Sequence, residues 1–147
     1  MSLSQQVQVR LDFMMGPTSA ARVFDRVELA ADALGAQGEL RGACEAWVVG
    51  WDANASAPRN ATGPVRQLVQ ESVLIMLGFL YSGPIGGEGD AEVVEDKVIE
   101  ALLGWQPLGR AQPLSLRGSR LMSFDGDRQM LFRQVVFETS RQRVALG

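Results

Sequence analysis

Histidine is absent from the 147 residues, which removes the commonest general base and the commonest zinc ligand together. The single cysteine, Cys44, excludes an internal disulfide and any all-cysteine metal site. It lies in an apolar stretch, where a buried thiol behaves as a small hydrophobe. Lysine occurs once, as Lys97 beside Asp96, so serine and tyrosine hydroxyls have no visible base to activate them for nucleophilic catalysis. These absences predict a protein that is not an enzyme and holds neither metal nor cofactor. No apolar run reaches the roughly 20 residues of a membrane span. Residues 1–8 lack the basic and apolar regions of an export signal, so the expectation is a cytoplasmic chain with no membrane partner. Asn54-Ala55-Ser56 and Asn60-Ala61-Thr62 match the glycosylation sequon but then serve as loop chemistry.

What is present is ample apolar material, 46% of the chain, enough for one domain spanning residues 1–147 that buries roughly 70% of its unfolded surface. The net charge of −3 is unevenly spread. Residues 1–104 hold seven basic and fourteen acidic side chains, whereas residues 105–147 hold seven arginines and three acids. If that division survives folding, it favours head-to-tail contact between copies. If the two parts interleave, the charges neutralise within one molecule.

Leu3, Val7, Leu11 and Met14, with Gln5, Gln6, Gln8 and Arg10 between them, predict an amphipathic helix over residues 3–14, stopped by Gly16-Pro17. Residues 20–34 read as a short extended piece passing into a helical turn. Gly35, Gly38 and Gly42 mark a loop before a Trp- and Val-rich strand over 43–51, with Glu45, Trp47, Val49 and Trp51 on one face. Residues 52–64 lack apolar period and read as a long loop. Residues 65–81 read as a long strand whose second half, continuously apolar from Val73, is covered on both faces. After a glycine-rich turn over 82–89, Asp90 is expected to cap a helix. Its apolar stripe is Val94, Val98, Ile99, Leu102 and Leu103, and Gly104 stops it. Residues 114–124 and 128–143 read as extended segments joined at Asp125-Gly126, a dipeptide that tolerates the positive φ of a tight hairpin. Leu131, Val135 and Phe137 share one side of the last strand with Arg133, and Met130, Phe132 and Val136 share the other.

Three constellations invite chemistry. The run Gly83-Pro84-Ile85-Gly86-Gly87-Glu88-Gly89 suggests a phosphate cradle, but its proline and the acids Glu88, Asp90 and Glu92 favour a plain turn. Glu92, Asp96 and Glu100 share a helix face, which suits a solvated acidic surface better than a metal or acid–base site. The arginines at 110, 117, 120, 128, 133, 141 and 143 suit either nucleic acid or a protein neighbour. Few aromatics lie among them to stack bases, so ion pairs with the acidic part of a neighbouring copy are favoured. Trp47, Trp51 and Trp105 suit core or subunit-contact anchors. The candidate interface with a neighbouring copy or partner is therefore Asp52, Asn54, Arg59 and Asn60 in the long loop, with Arg128, Arg133, Arg141 and Arg143 on the hairpin.

The chain also resembles a known family. The matching pieces are Ala46-Trp47-Val48-Val49, the loop through Ala61-Thr62-Gly63-Pro64, Val65-Arg66-Gln67-Leu68-Val69-Gln70-Glu71-Ser72, Ile99-Glu100-Ala101-Leu102-Leu103-Gly104-Trp105-Gln106-Pro107, and the terminal hairpin over 121–125 and 131–137. In this order they resemble the phage tail-terminator-like proteins of temperate phages and prophages, over about residues 43–143. The resemblance implies an α/β fold of the α+β type: one domain, with a mixed, largely antiparallel sheet packed against helices and ending in a β-hairpin. It implies a ring, typically hexameric, that caps the tail tube, ends addition of tube subunits and offers its other face to the head–tail neck proteins. Partners would be further copies of the chain, the tail-tube protein and the neck proteins. DNA would be met only in passing through the ring. Assembly would occur in the host bacterial cytoplasm, and the finished place would be the virion tail. The competing readings are another head–tail connector or tail-completion protein, and a nucleic-acid-binding accessory protein.

Overall fold

In the computed structural model, which describes residues 1–30, 42–57, 65–80, 88–127 and 129–145, the expected first helix is α1 (Leu3–Met15). Leu3, Val7, Leu11 and Met15 are buried along it, a four-residue spacing that lines one helical face. The stripe closes on Met15 rather than the expected Met14, because Met15 is the residue one further turn beyond Leu11. At the N-terminus the Ser2 hydroxyl accepts the Gln5 N–H and the Gln5 side chain accepts the Ser2 N–H, a capping box that contributes about 1 kcal/mol.

The polar residues between the apolar ones are ties rather than solvent contacts. Gln6 is 8% exposed; its Oε1 accepts the Leu108 N–H at 2.7 Å and its Nε2 donates to the Leu108 carbonyl at 3.1 Å. Gln8 Nε2 donates to the Val27 carbonyl at 2.8 Å. Arg10 Nε donates to the Ala101 carbonyl at 2.7 Å, and its guanidinium lies 4.8 Å from the centre of the Trp105 ring, within cation–π range.

Five strands follow among the described residues: β1 (Arg26–Leu29), β2 (Cys44–Ala55), β3 (Val65–Leu80), β4 (Ser115–Asp125) and β5 (Met130–Ala145), with α2 (Glu88–Leu102) between β3 and β4. They form one sheet in the order β1-β2-β3-β5-β4. Only β1 and β2 run parallel. This is the expected α+β fold with a mixed, largely antiparallel sheet and a C-terminal hairpin. The core lies between helices and sheet: Val7 and Leu11 of α1 and Val94, Val98 and Leu102 of α2 meet Val73, Ile75, Leu77 and Phe79 of β3 and Val135 and Phe137 of β5. The second half of β3 is covered on both faces as expected, with Leu74 buried opposite to Val73 and Ile75.

Several local expectations are corrected. The strand begun at Cys44 runs on to Ala55, so the first four residues of the expected 52–64 loop are strand. Its register shifts between Gly50 and Asp52, a bulge in the strand; the face of Trp51 expected from the sequence lies outside the described side chains. α2 already includes Glu88, so Asp90 lies in its first turn and is not its cap. Leu103, expected in the apolar stripe, is 52% exposed, because Gly104 at φ 81° turns the chain away at that point. The hairpin turn takes its positive φ at Gln129, φ 52°, rather than at Gly126. The helical turn expected near residue 34, the glycines 35 and 38, and most of the 82–89 turn lie outside the described residues.

The face of the sheet away from the helices is also closed in part. Glu45 is fully buried there and pairs with Arg26 at 2.6 Å; Arg26 lies 5.6 Å from the Trp47 ring centre, and Trp47 is 4% exposed. Buried charges require such pairing. Beside them the Asp25 carboxylate accepts the Ala43 and Cys44 N–H groups at 2.8 and 3.3 Å. It thereby fixes the entry to β2.

Candidate assembly interface

β3 and β5 have 16 residues each, about 53 Å at ~3.3 Å per residue. α2 has 15, about 22 Å at ~1.5 Å per residue. The strands therefore outrun the helices. Their far halves pair as Val65↔Ala145 through Glu71↔Thr139, with the end of β2 alongside as Asn54↔Gln70 and Ala55↔Val69. On this three-stranded arm Leu68 and Val144 are 39% and 56% exposed, and Arg66, Gln70, Gln142 and Arg143 are exposed with them.

The root of the arm is braced by the segment after α2. Thr139 Oγ1 donates to the Gln112 carbonyl at 2.6 Å, and the Ala111 N–H donates to the Ser140 carbonyl at 2.7 Å. Glu71 meets two arginines, with Arg110 Nε at 2.9 Å and Arg141 Nε at 3.1 Å from its Oε1. These are ion pairs by distance, but neither N–H is aimed to form a hydrogen bond. The Arg110 Nη2 group adds a longer bond of 3.4 Å to Oε2. Nothing in the local sequence around Glu71 distinguishes it, because both partners are remote in the chain.

The expected interface residues fall in three places. Asn54 and Arg143 lie exposed on the arm, on opposite faces, since Asn54 stands across from Gln70 and Arg143 across from Gln67. Asp52 is in β2 opposite Ser72. Arg133 and Arg141 are turned inward along β5: Arg133 pairs with Glu95 of α2 at 2.6 Å, with 12% and 9% of the two side chains exposed, and Arg141 holds Glu71. Arg59, Asn60 and Arg128 lie outside the described residues. The charged parts of the chain thus interleave at Glu71 and Glu95.

Two further surfaces escaped the sequence. Phe13 and Leu108 are 82% and 84% exposed beside an open groove of about 430 Å³ that Val9 and Trp105 also line. β4 is exposed almost throughout, with Leu116, Leu121 and Phe124 at 40%, 48% and 53%. Their partners Phe137, Arg133 and Leu131 on β5 place them on the helix-bearing face, beyond the reach of α2. A signal existed in the serine content of β4, three residues against one in each of β3 and β5.

Reactive chemistry finds little footing. Burial pushes the Cys44 thiol up to about 12, with the charges of Asp25 and Glu45 adding to the effect. Among the described residues no three His, Cys, Asp or Glu side chains are grouped to hold a metal ion. No helix among them is long and apolar enough to cross a membrane.

The fold is a helical layer on a mixed sheet whose long strands run past it. It is shared, at a TM-score of 0.52 and 16% identity, with a chain of the virion of the native gene transfer agent (GTA) particle, across 97% of this chain and 96% of that one. The chain belongs to the phage tail terminator protein family, whose model matches residues 17–145. It is accordingly a structural protein of a phage-type tail. No curated protein matches it.

Proposed function

We propose that the protein closes the finished tail tube as a hexameric ring, halting addition of the tail-tube protein and offering its outer face to the neck proteins that join the filled head. The observation that carries this reading is the family match over residues 17–145, and the three-stranded arm is the part of the fold that suits it. An arm of paired strands is rigid and presents apolar groups beside arginines, a composition common at protein contacts. On this reading Asn54 and Arg143, with Asp52, Arg59, Asn60 and Arg128, meet a neighbouring subunit or the tube. Arg133 ties β5 to α2 through Glu95, and Arg141 braces the two long strands of the arm through Glu71. The work is done by binding alone, with no chemical step, in the cytoplasm of the host bacterium before the protein takes its place in the virion tail.

Particles lacking the protein test the reading by electron microscopy. Overlong tails that fail to join heads are expected. Tails of normal length that merely fail to meet heads would instead assign the protein to the head side of the neck.

A further inference from the structure

On the face of the sheet away from the helices, β4 carries a shallow notch of about 280 Å³ lined by Arg117, Gly118, Ser119, Arg120, Gln134 and Val136. None of these is acidic. The register shifts between Leu116 and Gly118, so Arg117 sits at a bulge, and its Nη1 donates to the Ser72 hydroxyl at 3.1 Å across β5. Arg120 stands opposite Gln134 and is exposed. Gly118 forms the gap between the two arginines: a Cβ there would meet nothing within 4 Å.

The opposite side of the molecule carries the complement. α2 turns Ala91, Val94, Glu95, Val98 and Leu102 inward, which leaves Glu92, Asp96 and Glu100 exposed along its outer face, spaced by four residues and hence in one row. Val93 and Leu103 are 54% and 52% exposed at the margins of that row. A basic notch on the open sheet face and an acidic ridge on the outer helix face point in opposite directions from one body. Unlike patches so placed make a heterologous contact, which closes into a ring when the rotation allows. The second register shift in β4, between Leu121 and Ser123, twists this edge and disfavours backbone pairing with another strand, so side-chain docking is the contact left open to it.

We infer that the Arg117–Arg120 notch of one copy receives the Glu92–Asp96–Glu100 ridge of the next, making this the subunit contact of the ring. The inference rests on the ring reading above and adds to it the two faces that meet. Planar guanidinium groups take carboxylates in well-defined geometry.

The test is a pair of charge reversals, Arg120→Glu and Asp96→Arg, purified separately and then mixed. Both sites are exposed, so each variant should melt as the wild type does. Alone, each sets like charges against each other at every contact, and ring assembly should need at least about tenfold more protein than the wild type. In the equimolar mixture an alternating ring would set each introduced glutamate against an introduced arginine, and each native Arg120 against a native Asp96. Assembly should then return to the wild-type concentration. Either variant assembling alone as the wild type does overturns the inference, as does a mixture that fails to recover. A wild-type protein that forms no ring, free or on purified tube ends, removes the ring reading itself and this contact with it.

Discussion

At the scale of single residues, Asp25 organises the start of β2. Burial works against its charge, but the hydrogen bonds from Arg22 and from the Cys44 and Ala43 N–H groups outweigh it and hold the carboxyl below its ordinary 3.8. A carboxylate with a depressed folded pKa contributes stability that is present above the unfolded value and is lost as pH falls through the folded one. Asp25→Asn is therefore expected to lower the melting temperature at neutral pH, with the difference from wild type shrinking below about pH 3.8. A difference that stays constant from pH 7 to pH 3 would show that the carboxylate charge does not matter. Gly42→Ala should mimic the loss, because its Cβ would collide with the Asp25 carboxylate. No local signal marks this site: an aspartate after Phe24 is visible, but its acceptor role depends on backbone groups 18 and 19 residues further on.

At the scale of elements, the Glu95–Arg133 pair fastens α2 to β5. Removing one partner of a buried pair leaves a charge without its counterion, whereas replacing both by apolar groups of similar size is often neutral. Glu95→Ala is expected to destabilise the fold by about 3 kcal/mol, the lower end of the usual range because Arg133 retains slight exposure. Glu95→Leu combined with Arg133→Met should recover most of that in urea unfolding. Equal losses in the single and double variants would contradict the account. Apolar period alone discloses most of these elements, since Leu3, Val7 and Leu11, or Val94, Val98 and Leu102, face a core that rewards regular spacing. It fails where no core lies beneath. The end of β2 reads as loop because Ala53, Asn54 and Ala55 are all exposed there, so the segment needs no apolar alternation. The register shift between Gly50 and Asp52 is not legible, because a bulge leaves no mark in the apolar pattern. Arg133 is legible as an oddity among apolar neighbours, but its partner on α2 is not, since the pairing depends on how helix and sheet stack.

At the scale of the whole molecule, the charge division along the chain is partly consumed inside the fold. Glu71 takes Arg110 and Arg141, and Glu95 takes Arg133. What remains on the surface is ordered in space: an acidic row on the outer face of α2, and arginines on β4 and on the arm. A body with unlike patches on opposite sides and strands projecting past its helices is suited to repeat around an axis. The central claim, a tube-capping ring, is tested most directly by native mass spectrometry of the purified protein across a concentration series, with and without purified tube ends, and with negative-stain images of the heaviest species. A closed ring of about six copies with a central hole is the predicted result. A monomer at every concentration, with tube ends present as well as absent, would contradict it.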